Sequence, residues 1–167
     1  MSFGRTEIEE AYRLHGHVVL RRARKILGDE DQAKEVLQEV FVSLVDRPHQ
    51  FRGDSSILTW LYSATTHSAL NRLRTRRTRD RILAAQGVGE PSQPALDRAV
   101  DARRILMRVS DELAQVAVYY YFDQMTHAEI SEVLGCSRRQ VGKLLERFHE
   151  AASKLERDPA RVVGAAR

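Results

Sequence analysis

Cysteine occurs once in these 167 residues, at Cys136. A single thiol excludes a disulfide framework within the chain and any zinc site built from several thiolates. It fits a reducing compartment, and the cytoplasm is the expected location. No apolar run approaches membrane-spanning length, so no transmembrane helix is expected. The opening residues, Met-Ser-Phe-Gly-Arg-Thr-Glu, contain no apolar core of a secretory signal. Phosphate-cradling glycine loops are missing too, since Gly87-Val88-Gly89 lacks the strand and helix that such a loop joins. A His-Glu-x-x-His metal motif is absent, and His15-Gly16-His17 is too isolated a pair to argue for a metal. Neither catalysis nor a cofactor nor a metal is expected.

What is present is charge and helical periodicity. Lys and Arg number 27 against 23 Asp and Glu, giving a net charge of +4 and a pI near 9.5. The excess favours an anionic partner, and its distribution says more than its sum. Between Arg72 and Arg81 there are six arginines and one Asp. An apolar fraction of 43% and a charged fraction of 30% are those of a globular chain.

Apolar residues recur at three-four spacing, and no alternating strand pattern of useful length appears. Glu7 to Leu27 is predicted as a first helix. Gly28 stops it, and Asp29-Glu30-Asp31 restarts the chain with the acidic residues a helix N-terminus prefers. The second helix puts Ala33, Val36, Leu37, Val40, Phe41, Leu44 and Val45 on one apolar stripe and ends before Pro48. Residues 47–56 are a loop by composition. A third helix is predicted from about Ser56 to Arg79, with Trp60 and Leu61 toward the core. The stretch 86–94, rich in Gly, Pro and polar residues, reads as a linker. Two further helices, Asp97–Arg108 and Asp111–Phe122, follow, with the aromatic run Tyr119 to Phe122 expected in the core. The fold class is all-α: two small helical domains, 1–80 and 97–156, joined by a flexible linker (81–96) and followed by a tail (157–167).

Thr126 to Glu150 is the most informative segment. Thr126 with Glu129, and Ser137 with Gln140, have the spacing of two capping boxes, and Gly135 lies between them where the chain must turn. Ile130, Val133 and Leu134 share an apolar seam with Val141, Leu144, Leu145 and Phe148. The second helix opens with Arg138 and Arg139, the pattern of a DNA-binding helix-turn-helix whose recognition helix is basic at its start. Arg pairs with guanine and Gln with adenine in the major groove, so Ser137, Arg138, Arg139 and Gln140 are candidate base readers. Gln140 has two open readings, because the capping box claims the same side chain. Lys143 and Arg147, further along, are candidate phosphate contacts. Gly142 is unexpected inside a helix, at a cost of about 1 kcal/mol against Ala. Cys136 is read as a small apolar filler in the turn.

Taken in order, Tyr12-Arg13-Leu14-His15, Leu27-Gly28-Asp29, Gln38-Glu39-Val40-Phe41, Phe51-Arg52-Gly53, Thr59-Trp60-Leu61-Tyr62, Leu70-Asn71-Arg72-Leu73-Arg74 and the helix-turn-helix resemble the extracytoplasmic-function sigma factors of bacterial RNA polymerase. The resemblance implies roles. Glu35, Gln38, Glu39 and Val42 would face the coiled coil of the largest polymerase subunit, and the C-terminal domain would meet the polymerase flap. Phe51, Arg52 and Asp54 would hold an unpaired base of the downstream (−10) element, offsetting lost stacking by stacking and hydrogen bonding. Phe51 reads equally as a plug in the core, and both readings stay open here. His67, Asn71, Arg72, Arg74, Arg76 and Arg77 would contact that element or its backbone, each neutralised phosphate adding salt-dependent affinity. The family commonly continues Trp-Leu-Tyr with Arg-Ile-Ala-x-Asn, whereas this chain has Ser63-Ala64-Thr65-Thr66-His67, so His67 either reads a base or packs. The helix-turn-helix would read the upstream (−35) element, with core polymerase, promoter DNA and an anti-sigma factor as partners. Two other classes remain: a sigma mimic that sequesters an anti-sigma factor, and a stand-alone helix-turn-helix regulator. The mimic has no need of the basic helix, and the regulator leaves Gln38, Glu39 and Phe41 unexplained.

Overall fold

In the computed structural model, residues 4–47, 51, 55–86 and 98–157 are described, and among them there is no strand. The helices are α1 (Arg5–Leu27), α2 (Glu30–Asp46), α3 (Ile57–Ala85), α4 (Arg98–Leu106), α5 (Asp111–Ala117), α6 (His127–Leu134) and α7 (Arg138–Arg157). A π-helical turn, Val118–Phe122, continues α5. The chain divides into two compact units, Met1–Ala69 and Leu70–Arg167, with the boundary inside α3. The linker predicted at 86–94 lies almost wholly outside the described residues.

In the first unit, α1 and α2 form a hairpin. Gly28 takes the left-handed conformation (φ 70°) and its N–H returns to the Arg24 carbonyl, ending α1. Asp29 then caps α2 by accepting from the Gln32 N–H at 2.9 Å. Ile8, Ala11, Val19, Ala23 and Ile26 of α1 are buried, as are Ala33, Val36, Val40, Phe41 and Leu44 of α2. Each fully buried Val, Leu or Ile contributes about 1.5–3 kcal/mol by leaving water. Val45, expected on that stripe, is 61% exposed instead. It sits in the last turn of α2, and spacing alone does not tell where the covering neighbour ends. From α3, Leu61, Thr65, Thr66 and Ala69 are buried. Trp60 is only half-buried, and Leu61 takes the core position.

α3 runs on to Ala85, past the end predicted near Arg79. Arg79 to Ala85 contains good helix formers and no breaker before Gly87. In the second unit, Leu113, Ala114, Val116 and Ala117 of α5 pack beneath the helix-turn-helix with Val118 and Tyr119. The aromatic run does not enter the core as a block. Tyr119 is fully buried, while Tyr120 and Tyr121 are 38% and 45% exposed. Consecutive helical residues point about 100° apart, so four adjacent rings cannot share one face.

Candidate nucleic-acid interface

The helix-turn-helix is assembled by local hydrogen bonds. Thr126 Oγ1 accepts from the Glu129 N–H at 3.3 Å, and the Glu129 carboxylate accepts from the Thr126 N–H at 2.7 Å, a complete capping box. The Thr126 N–H, and the Thr126 hydroxyl that also donates to this carboxylate, hold the Glu129 carboxyl below its ordinary pKa. Gly135 takes φ 63°, the left-handed conformation that closes α6, and Cys136, half-buried, donates its N–H to the Ser131 carbonyl. At α7 only half of the second box forms. Ser137 Oγ accepts from the Gln140 N–H at 3.2 Å, and the exposed Gln140 side chain makes no hydrogen bond among the described residues. Gln140 is thus free to meet a base edge.

The seam orients the helix. Ile130, Val141, Leu144, Leu145 and Phe148 are buried, which turns Arg138, Arg139, Lys143 and Arg147 outward, all exposed along with Ser137. Val133 and Leu134 are half-buried. Arg147 approaches Glu112, at the start of α5, at 3.8 Å. On the adjacent flank, the Tyr121 hydroxyl contacts His149 Nε2 and its ring lies against Phe148, while Tyr120 lies beside His127.

α3 carries the other basic surface. His67 and Asn71 are exposed, so His67 does not pack into the core. Thr65 and Thr66 turn inward and donate their hydroxyls to the carbonyls of Leu61 and Tyr62. Beneath them lies Arg22 of α1, which sequence reasoning missed. Its buried guanidinium donates to Thr66 Oγ1 and lies over the Tyr62 ring. The signal was available: Arg22 falls between Val19 and Ile26 at core spacing, and a cation there demands a partner.

The arginine run divides in two. Arg76 and Arg79 are exposed. Within the second unit, Arg74 ion-pairs with Asp111, and Arg77 donates to the Met107 carbonyl at 2.8 Å. Burial lowers the pKa of both, with Arg108 and Arg81 adding repulsion at Arg77, yet arginine stays charged. Arg72 is half-buried and has partners of its own. Phe51 is half-buried, whereas Arg52 and Asp54 lie outside the described residues.

On α2, Glu35, Gln38, Glu39 and Val42 are all exposed and share a face. Glu39 accepts from the Ser68 hydroxyl at 2.7 Å, so it is already tied to α3.

Profiles of protein families match both halves, in order: sigma-70 region 2 over residues 11–79, and sigma-70 region 4 over residues 100–148. The chain belongs to the sigma-70 family. Relatives of this sigma factor include sigma factor YlaC of Bacillus subtilis (strain 168), 29% identical over 153 residues, covering 86% of this chain and 88% of that one. The ECF RNA polymerase sigma factor SigL of Mycobacterium tuberculosis (strain H37Rv) is 26% identical, covering 86% and 84%. These relatives place it among the extracytoplasmic-function group. The fold is that of two solved structures. CnrH, in complex with the cytosolic domain of CnrY, gives a TM-score of 0.56 at 20% identity, covering 93% of this chain and 91% of that one. RpoE of Bartonella quintana, in complex with the anti-sigma factor NepR, gives 0.52 at 14%, covering 92% and 98%. No helix among the described residues is long and apolar enough to cross a membrane.

Proposed function

We propose that this sigma factor binds core RNA polymerase in the cytoplasm and directs it to a two-part promoter, without catalytic chemistry of its own. The observation that carries the reading is the start of α7. A seam of buried apolar residues fixes the helix so that Arg138, Arg139 and the unengaged Gln140 face outward at the end that enters a major groove. The second unit reads the upstream element through these residues, with Lys143 and Arg147 on phosphates. The first unit, with Phe51, Arg52, Asp54 and His67, together with Asn71 just beyond its boundary on α3, recognises and melts the downstream element. Glu35, Gln38, Glu39 and Val42 dock on polymerase. The domain limits are those of the sequence reading, 1–80 and 97–156, and the free protein is a monomer. The solved neighbours are held by partner proteins in their structures, which supports an anti-sigma partner here as well.

In vitro transcription with core polymerase on fragments of the source genome tests this. Promoter-specific transcripts that require this protein are the expected result. Polymerase binding without such transcripts would favour a mimic instead. On a responsive promoter, Arg138→Ala and Arg139→Ala are expected to relax base preference in the upstream element by about 1–3 kcal/mol per base contact.

A further inference from the structure

Gly142 lies in the second turn of α7. Glycine weakens a helix interior relative to alanine, so its presence calls for a compensating reason. The protein's own packing supplies none. A methyl group at this position would meet nothing within 4 Å, and the backbone is outside the left-handed region that Gly28 and Gly135 occupy. Gly16 is the contrast, since a methyl there would touch the Tyr12 ring at 3.8 Å and Leu37 at 3.9 Å.

The neighbours of Gly142 point outward instead. Arg138 and Arg139 precede it by four and three residues, the spacing that puts side chains on a common face. The core side of α7, with Val141, Leu144, Leu145 and Phe148, lies elsewhere. An unfilled notch therefore sits among the side chains proposed to enter the major groove. Its surface is apolar: within a helix the Gly142 N–H is used by the carbonyl one turn back, leaving only the bare Cα exposed. Of the groups displayed on the floor of the major groove, the thymine methyl is the apolar one.

We propose that Gly142 is a specificity-determining position, at which the missing side chain lets α7 approach the groove floor and seats the C5-methyl of a thymine in the upstream element. The proposal rests on the reading of α7 as the recognition helix. The test uses the full chain in reconstituted holoenzyme, selecting from duplexes with a randomised upstream element. Each thymine of the selected element is then replaced by deoxyuracil, which lacks only the methyl.

Wild-type holoenzyme is expected to show one thymine whose replacement weakens binding about fourfold, the transfer value of one buried methyl. Gly142→Ala melts about 4–8 °C higher as the helix gains propensity. The same variant carries a methyl in the proposed seat, which holds α7 off the groove floor, and is expected to bind the selected element about tenfold more weakly. An unchanged element and affinity for Gly142→Ala, or no methyl-dependent thymine in the wild type, overturns the proposal. Arg138→Ala and Arg139→Ala, run in parallel, separate two failures. If they shift the selected element and Gly142→Ala does not, only the role of Gly142 falls. If all three leave it unchanged, the reading of α7 falls with it.

Discussion

Arg22 of α1 grips Thr66 of α3, with Nη2 at 2.6 Å and Nε at 3.1 Å from the Thr66 hydroxyl oxygen. That hydroxyl gives its proton to the Tyr62 carbonyl at 2.8 Å, so its lone pairs face the guanidinium. The guanidinium carbon lies 4.4 Å from the centre of the Tyr62 ring, and the residue as a whole is only 5% exposed. One buried cation thus fixes the inner face of α3 directly behind His67. Thr66→Val keeps the shape and removes the acceptor, and it is expected to lower stability by about 2 kcal/mol. Thr78 also bonds back to its own helix, at the Arg74 carbonyl, but is exposed. Its replacement by Val is expected to stay within about 0.5 kcal/mol. Urea unfolding of the two variants decides the matter, and equal effects would count against a load on Arg22.

The division of the arginine run predicts a division of phenotype. Arg76 is exposed and makes no hydrogen bond or ion pair among the described residues, whereas Arg77 serves the Met107 carbonyl at the end of α4. Arg76→Ala is expected to leave the melting temperature unchanged and to reduce the salt slope of duplex binding by about one. Arg77→Ala is expected to cost about 1 kcal/mol of stability, less than a buried charged hydrogen bond because the side chain is partly solvated. It should alter the salt slope less than Arg76→Ala does. Titration of fluorescent duplex at several salt concentrations, beside thermal melts, reads both quantities.

The helix-turn-helix was legible because its signals are local. Thr126, Glu129, Gly135 and Ser137 each bond to a partner three or four residues away, and each acts in the structure at its expected place. The periodic stripe of α2 was legible for the same reason until Val45, where the outcome depends on how far a neighbouring element extends. Tyr120 and Tyr121 were misplaced because composition, rather than angular position, guided the expectation. Arg74 and Arg77 could not be resolved from the sequence at all. Their partners, Asp111 and Met107, lie some thirty or more residues away, and no local pattern distinguishes them from the exposed Arg76 and Arg79. Arg22 was visible only to a reading that treats a charge at a core position as a demand for a partner.

The α6 capping box predicts a pH dependence of definite sign. Glu129 accepts from the Thr126 N–H and hydroxyl at 2.7 and 2.8 Å, which holds its folded pKa below the ordinary 4.5. A depressed folded value means that the ionised form favours the fold. The contribution is complete above the unfolded value and is lost as pH falls through the folded one. Glu129→Gln cannot ionise, so the gap in melting temperature between it and the wild type is expected to be constant from about pH 7 to 5.5. It should narrow as pH falls below the ordinary value of 4.5 and through the depressed folded one. A gap independent of pH across that window would show that the carboxylate charge does not act at this cap.

The outer face of α2 gives the last expectation. Val42 is 53% exposed and Val45 is 61% exposed, three residues apart and continuous with Glu35 and Gln38. The core does not account for either valine, while a partner helix laid along this face would cover both. Val45→Lys separates the two effects because they run in opposite directions. A cation in the last turn of α2, which has no basic residue of its own, favours the helix dipole by about 0.3–1 kcal/mol, so stability should hold or rise. In a docked complex the same lysine would replace an apolar contact with a charge that must be desolvated, and affinity for core polymerase is expected to fall tenfold or more. Binding of labelled protein to core polymerase, measured beside a thermal melt, checks both. A variant that melts higher and still binds as tightly as the wild type would move the docking face away from Val45 and leave it to Glu35, Gln38, Glu39 and Val42.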